Sequence, residues 1–181
     1  MKVIKTDVPD ILILEPKVHQ DERGYFFESF KQSILDEQGV HIGFVQDNQV
    51  CSSKGVLRGL HYQIAPKAQA KLVRVLRGSI FDVAVDIRRG SPTFGKHVGI
   101  KLSAENKKMI FVAEGFAHGY VALEEDTEVL YKVSADYSPR HERGILWSDS
   151  SLNIGWPKIE GGYKVSLRDG KLPVFKELEP V

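Results

Sequence analysis

Cysteine is nearly absent from this chain: Cys51 is the only one among 181 residues. A single thiol excludes an internal disulfide framework and fits a reducing cytoplasm. Within a strand-like stretch it reads as a small buried hydrophobe rather than a nucleophile. Long apolar runs are missing too. No stretch approaches the roughly 18 residues that span a bilayer. Asp7, Pro9 and Asp10 break the N-terminal apolar run, so neither a membrane span nor a signal peptide is expected. Net charge is small, with 25 Lys and Arg against 24 Asp and Glu giving +1. That balance excludes a nucleic-acid binder working by bulk attraction and leaves room for a local basic patch. There is no G-x-G-x-x-G after a strand, no P-loop, no H-E-x-x-H and no G-x-S-x-G. These absences remove the common nucleotide-cofactor and hydrolase explanations. No repeat, low-complexity segment or Gly/Ser linker interrupts the chain, and its length predicts one domain over 1–181.

What the chain has in abundance is a period of two. Phe81, Val83, Val85 and Ile87 alternate with Asp82, Ala84, Asp86 and Arg88, as in a strand with one apolar and one polar face. Lys71 to Arg77 reads as another strand, and Gly78-Ser79 fits a two-residue hairpin turn between them. Further short β-type runs are Ile11–Leu14, Tyr25–Phe30, Phe44–Val50, Val56–Gln63, Lys96–Leu102, Met109–Val112, Tyr120–Leu123, Glu128–Val133 and Ile145–Trp147. Helical pattern is scarce. Ser29–Gln38 is one short candidate with Gly39 as its stop; others are Ser103–Asn106 and the C-terminal tail. Many short strands at regular spacing predict an all-β sandwich or barrel.

Several constellations could carry chemistry. The segment Val56–Gln63 places Arg58, Gly59 and His61 on one strand. Arg58 and His61 are three positions apart, so a regular strand sends them to opposite faces. Serving one site together requires a bulge or bend at Gly59. Lys71 shares parity with Val73 and Val75, the apolar face, where a lysine is costly without a task or a partner. His118 lies between glycines in Gly115–Tyr120, which permits close backbone approach. Tyr131 shares parity with Val129 and Val133 and is expected to point inward. Arg23, Phe26 and Glu28, together with the amides of Gln46-Asp47-Asn48, suit a phosphorylated, base-bearing ligand. Each group alone has a plain alternative: a surface Arg, a core His held by a carbonyl, a Lys that snorkels to water, a core Tyr. A cupin metal site would want a second His at position 63, where Gln63 stands, so no metal is expected.

Taken in order and at their spacing, these segments resemble the dTDP-4-dehydrorhamnose 3,5-epimerase family of sugar-nucleotide epimerases. The matching stretches run from Asp21–Phe26 through Phe44–Asn48, Gly55–His61, Lys71–Val75, Gly78–Asp86, Glu114–Gly119 and Tyr137–Pro139 to Ser166–Asp169. The resemblance implies a cupin-like jelly roll with a few short peripheral helices. It implies epimerisation at C3 and C5 of a dTDP-4-keto-6-deoxyhexose, as in dTDP-L-rhamnose synthesis in the cytoplasm. His61 matches the base, Asp169 the carboxylate that orients it, Lys71 the cation near the enolate oxygen and Tyr131 the acid on the other face. Arg23, Phe26, Glu28, Gln46, Asp47, Asn48, Arg58, Lys71, His118, Glu142 and Arg168 match positions that hold the nucleotide or the sugar. Arg168 stands where many members carry Lys, which keeps charge but not geometry. The resemblance implies no cofactor and no metal, since an adjacent ketone already acidifies the C–H bonds. It also implies a homodimer in which N-terminal strands are exchanged, so that Arg23 and Phe26 complete the partner's site. Other readings are an epimerase acting at C3 or C5 only, a non-catalytic jelly-roll sugar-nucleotide binder and, disfavoured by Gln63, a metal cupin oxygenase.

Overall fold

A computed structural model of the chain describes residues 1–178. Its first sheet runs in the order β1 (Lys2–Lys5), β2 (Ile11–Glu15), β10 (Met109–Val112), β7 (Lys71–Arg77), β12 (Thr127–Val133) and β5 (Gln46–Ser52). The second runs β13 (Glu142–Gly144), β6 (Val56–Gln63), β11 (Phe116–Ala122), β8 (Ser79–Asp86) and β9 (His97–Ser103). A short β14 (Lys164–Val165) adds to β6 in parallel, whereas the other pairings are antiparallel. A separate hairpin joins β3 (His19–Asp21) to β4 (Gly24–Phe26). Two packed sheets with crossing connections make the expected cupin-like jelly roll.

The core lies between the sheets. Ile11, Ile13, Val73, Val75, Ile110 and Val129 of the first sheet meet Ile80, Ala84, Leu102 and Phe116 of the second. Both outer faces are covered as well. The five-residue helix α1 (Gln32–Asp36) seats Leu35, with Phe30 and Phe44, on Leu12, Leu72 and Phe111. The chain from Ile145 onward lays Leu152, Trp156 and Phe175 over Leu60, Val83 and Val85. Burial on both faces explains the unbroken apolar runs of β2 and β10.

Several local expectations change. Gly78-Ser79 is not a hairpin turn: β7 and β8 belong to different sheets, and Gly78 is the corner between them. Its φ of +72° and the Thr127 Oγ1 lying 2.5 Å from where a Cβ would be require glycine there. The polar face of β8 is not solvated, since Asp82 and Asp86 are fully buried. Tyr25–Phe30 is strand only to Phe26, and the extended run of Ile145–Trp147 is displaced upstream to β13. The helix at 29–38 shrinks because no side chain caps its start. At 103–106, reciprocal bonds between Ser103 and Asn106 close a turn instead of a helix. The tail holds two 3-10 turns, Asp169–Lys171 and Phe175–Glu177. Cys51 is exposed on β5, the edge strand of the first sheet, and is not a core residue. No helix among the described residues is long and apolar enough to cross a membrane.

Candidate active site

The open end of the barrel holds a cleft of about 550 Å³ lined by Arg58, His61, Lys71, His118, Tyr120, Tyr131, Arg168 and Asp169. A second recess of about 370 Å³ shares His61, Lys71 and Tyr131 with it and adds Gln46, Asn48, Tyr137 and Glu142. Arg58 and His61 reach one space because of a bulge. His118 pairs with His61 and Tyr120 with Arg58, so two steps on β11 oppose three on β6. The extra residue falls at Gly59–Leu60, where the bend was expected. The strands are also unusually close there. A Cβ on Gly59 would lie 2.6 Å from Gly119 Cα, and one on Gly119 would lie 2.6 Å from the Arg58 carbonyl oxygen.

Asp169 arrives from a distant part of the chain. Its Oδ1 lies 2.8 Å from His61 Nε2, and its Oδ2 accepts the Gly59 N–H at 3.2 Å. An ionised carboxylate can only accept, which puts the imidazole proton on Nε2 and leaves Nδ1 with its lone pair. Burial pushes the His61 pKa down, with Asp169 pulling the other way. The imidazole is therefore neutral near pH 7, ready to take a proton. A second pair sits beside it: His118 Nε2 lies 2.9 Å from both oxygens of the fully buried Asp82.

Lys71 and Tyr131 enter from the facing sheet. Burial lowers the Lys71 pKa to about 8, against the pull of Asp82 and Glu142. Its Nζ lies 3.5 Å from the His61 carbonyl oxygen. Burial raises the Tyr131 phenol, with Arg58 opposing, so it stays a proton donor at neutral pH. Glu142 accepts hydrogen bonds from Tyr137 Oη and Arg168. Burial would raise its carboxyl, but these two donors hold it below the usual range.

The structure thus gathers His61, Lys71, Tyr131, Asp169, Arg58, His118, Gln46, Asn48, Glu142 and Arg168 around one opening. It does not bring Asp47 there. Parity turns Asp47 to the outer face of β5, where Lys132 holds it at 3.0 Å. Arg23, Phe26 and Glu28 also lie away from the cleft of their own chain. Arg23 pairs with Asp21 and Glu28 with Lys31, and Phe26 is 68% exposed on the β3–β4 hairpin. The cationic lining is accordingly Arg58, Lys71, Arg168 and Lys164, without Arg23. Gln63, where a metal cupin would carry a histidine, is spent on the backbone carbonyls of Lys67 and Asp136 and the Ser138 N–H. Sequence reading missed Asp82, Tyr120 and Tyr137. Alternation marks Asp82 and Tyr120 as sharing a face with neighbours but cannot say which face is inside.

Comparison with known proteins identifies the family. A family model described as dTDP-4-dehydrorhamnose 3,5-epimerase matches residues 5–177. A protein of that name from Salmonella typhimurium is 58% identical over 178 residues, covering 98% of this chain and 97% of that one. The crystal structure of a Legionella pneumophila epimerase in complex with dTDP-4-keto-L-rhamnose superposes with a TM-score of 0.93. It is 44% identical, covering 98% of this chain and 94% of that one. A 3'-monoepimerase from Streptomyces bikiniensis in complex with dTDP-quinovose is more distant, at 34% identity and TM-score 0.86, covering 93% of this chain and 85% of that one. On sequence and fold, the chain belongs to the dTDP-4-dehydrorhamnose 3,5-epimerase family.

Proposed function

We propose that the protein epimerises C3 and C5 of dTDP-4-keto-6-deoxyglucose, giving dTDP-4-keto-L-rhamnose. One observation carries the residue roles: the base candidate and the acid candidate stand on opposite walls. His61 belongs to the second sheet, whereas Tyr131 and Lys71 belong to the first. A sugar ring lying between them meets a base on one face and a phenol on the other, as inversion at carbon requires.

The C4 ketone acidifies the hydrogens on C3 and C5. His61 Nδ1 takes one of these protons, and the electron pair moves onto the C4 oxygen as an enolate. Lys71 stabilises that oxyanion, and Asp169 stabilises the imidazolium. Tyr131 then delivers its phenolic proton to the carbon from the opposite face, and the carbonyl re-forms. Solvent then takes the proton from His61 and reprotonates Tyr131, and the second centre is inverted by the same two groups. Arg58 and Arg168 hold the diphosphate, and His118 meets the sugar. Gln46, Asn48 and Glu142 bind from the adjoining recess.

The chain acts as a homodimer in this reading. The β3–β4 hairpin exposes Phe26, which enters a second copy with Arg23 and Glu28 in this reading, while Tyr25 beside it lies under Lys107 of its own chain. The described residues all lie in or around the two sheets, which supports one domain. The lone cysteine supports a cytoplasmic location.

Deuterium exchange from solvent, followed by NMR, tests the function. Label entering both C3 and C5 supports it, label at one carbon marks a monoepimerase, and no label refutes the enzyme reading. His61→Ala should abolish exchange while dTDP still binds. Turnover at the wild-type rate in that variant would overturn the base assignment.

A further inference from the structure

Arg58, Lys71, Lys164 and Arg168 all line the main cleft, but they are not equally available to an anion. Arg168 donates to Glu142, so its charge is already matched by a carboxylate. Lys71 serves the enolate oxygen in the reading above. Arg58 and Lys164 rest on hydroxyls only. Arg58 Nε–H donates to Ser52 Oγ and Lys164 Nζ donates to Ser53 Oγ, each at 3.3 Å. Two successive serines therefore hold two cations on one rim, and among the described residues neither cation is in an ion pair. The backbone fixes where Lys164 stands. β14 adds to β6 with Lys164 opposite Val56, and the Lys164 N–H donates to the Gly55 carbonyl at 2.8 Å.

We propose that Lys164 is a further diphosphate-binding residue, the partner of Arg58 on this rim. The diphosphate of a sugar nucleotide bears a negative charge on each phosphate, and Arg58 and Lys164 are the two cleft cations left to match them. Phosphate oxygens are stronger acceptors than a hydroxyl. An ammonium has three donors, so Lys164 reaches a phosphate oxygen without giving up Ser53. Arg168 still offers its fork to the ligand, but it shares that fork with Glu142 and adds little net charge. The segment that brings Asp169 to His61 thus also brings a cation to the phosphates. The inference rests on reading the cleft as a sugar-nucleotide site and adds a residue to it.

Calorimetric titration of Lys164→Met with inorganic pyrophosphate, dTDP and thymidine tests it. Affinity for pyrophosphate and dTDP should fall together by about 3–10-fold, between the worth of an exposed ion pair and that of a charge-assisted hydrogen bond. The loss should shrink as salt rises from about 0.01 M to about 1 M, because charges at an exposed rim are screened. Thymidine affinity should hold, since it carries no phosphate, and Lys164→Arg should restore most of the pyrophosphate binding. Pyrophosphate affinity at the wild-type level in Lys164→Met at low salt would refute the assignment. So would a loss that is equal at both salt concentrations, is shared by thymidine or is left unrepaired by Lys164→Arg. Wild-type protein that binds dTDP and pyrophosphate without epimerising refutes the proposed function, while the comparison of variants still decides Lys164. Wild-type protein that binds neither anion refutes both.

Discussion

Replacing Asp169 by Asn removes one charge and almost no volume, yet the geometry predicts a larger defect than deletion to Ala. The wild-type carboxylate accepts from two donors, the Gly59 N–H at 3.2 Å and His61 Nε2 at 2.8 Å. An amide has one acceptor and one donor end. The Gly59 N–H is fixed in the backbone of the bulge, so the Asn oxygen must face it. The amide NH₂ then points at His61 Nε2 and can only donate. Nε2 becomes the acceptor, the imidazole proton moves to Nδ1, and the nitrogen facing the substrate loses its lone pair. A wrong tautomer of this kind costs about 10⁴ in rate. Asp169→Ala leaves Nε2 unpaired, so both tautomers remain accessible. In rate it loses the charge-assisted bond to His61, roughly 1.5–3 kcal/mol or about 10–150-fold, while the Gly59 N–H that it also leaves unpaired lowers stability. Both variants should bind dTDP like the wild type, because neither change touches Arg58 or Arg168. Solvent-exchange rates at C3 and C5, measured under saturating substrate, make the comparison. Asn faster than Ala, or Asn within tenfold of wild type, would show that Asp169 does not set the tautomer.

Other outcomes follow from the same geometry. The rate should follow a bell in pH, rising with a midpoint below 6.5 because burial lowers His61 and falling near pH 8 as Lys71 loses its charge. Stability should move the other way above pH 8. The unfolded chain keeps the Lys71 proton up to its ordinary pKa of about 10.4, so denaturant midpoints should rise with pH between those values. A melting curve that falls there, or a Lys71→Met variant with the same pH trend, would contradict this origin. Gly119→Ala drives a methyl against the Arg58 carbonyl oxygen, 2.6 Å away. It should cost about 1–3 kcal/mol and lower the melting temperature by roughly 2–12 °C. A wild-type melting temperature would mean that β6 and β11 are not in such close approach.

The chain's alternation revealed much of the fold and half of the site's logic. The β6, β7 and β10 bounds follow directly from hydrophobic runs between turn residues. The inward lean of Lys71 and Tyr131 is a parity statement, and it holds. The bulge at Gly59 follows from asking two residues of odd separation to share a space. Other features depend on contacts between distant segments. Whether Gly78 turns a hairpin or a sheet corner depends on partners, β10 and β12 for one strand and β9 and β11 for the other, that local sequence does not announce. Asp82 looks like a solvated residue until His118 is placed against it. Cys51 and Asp47 share the exposed face of β5, and alternation alone does not say which face of a strand meets solvent.

Asp169 and His61 are 108 residues apart, and the bond between them ties the barrel to a segment that packs outside it. Between the two run Gly161 and Gly162, both exposed and both at positive φ. A protease that cuts this turn leaves every strand of the two large sheets in place except β14. What it releases is the covalent hold on the carboxylate. Limited digestion should therefore silence the enzyme while its β-sheet circular dichroism persists, with the barrel intact and the imidazole unoriented.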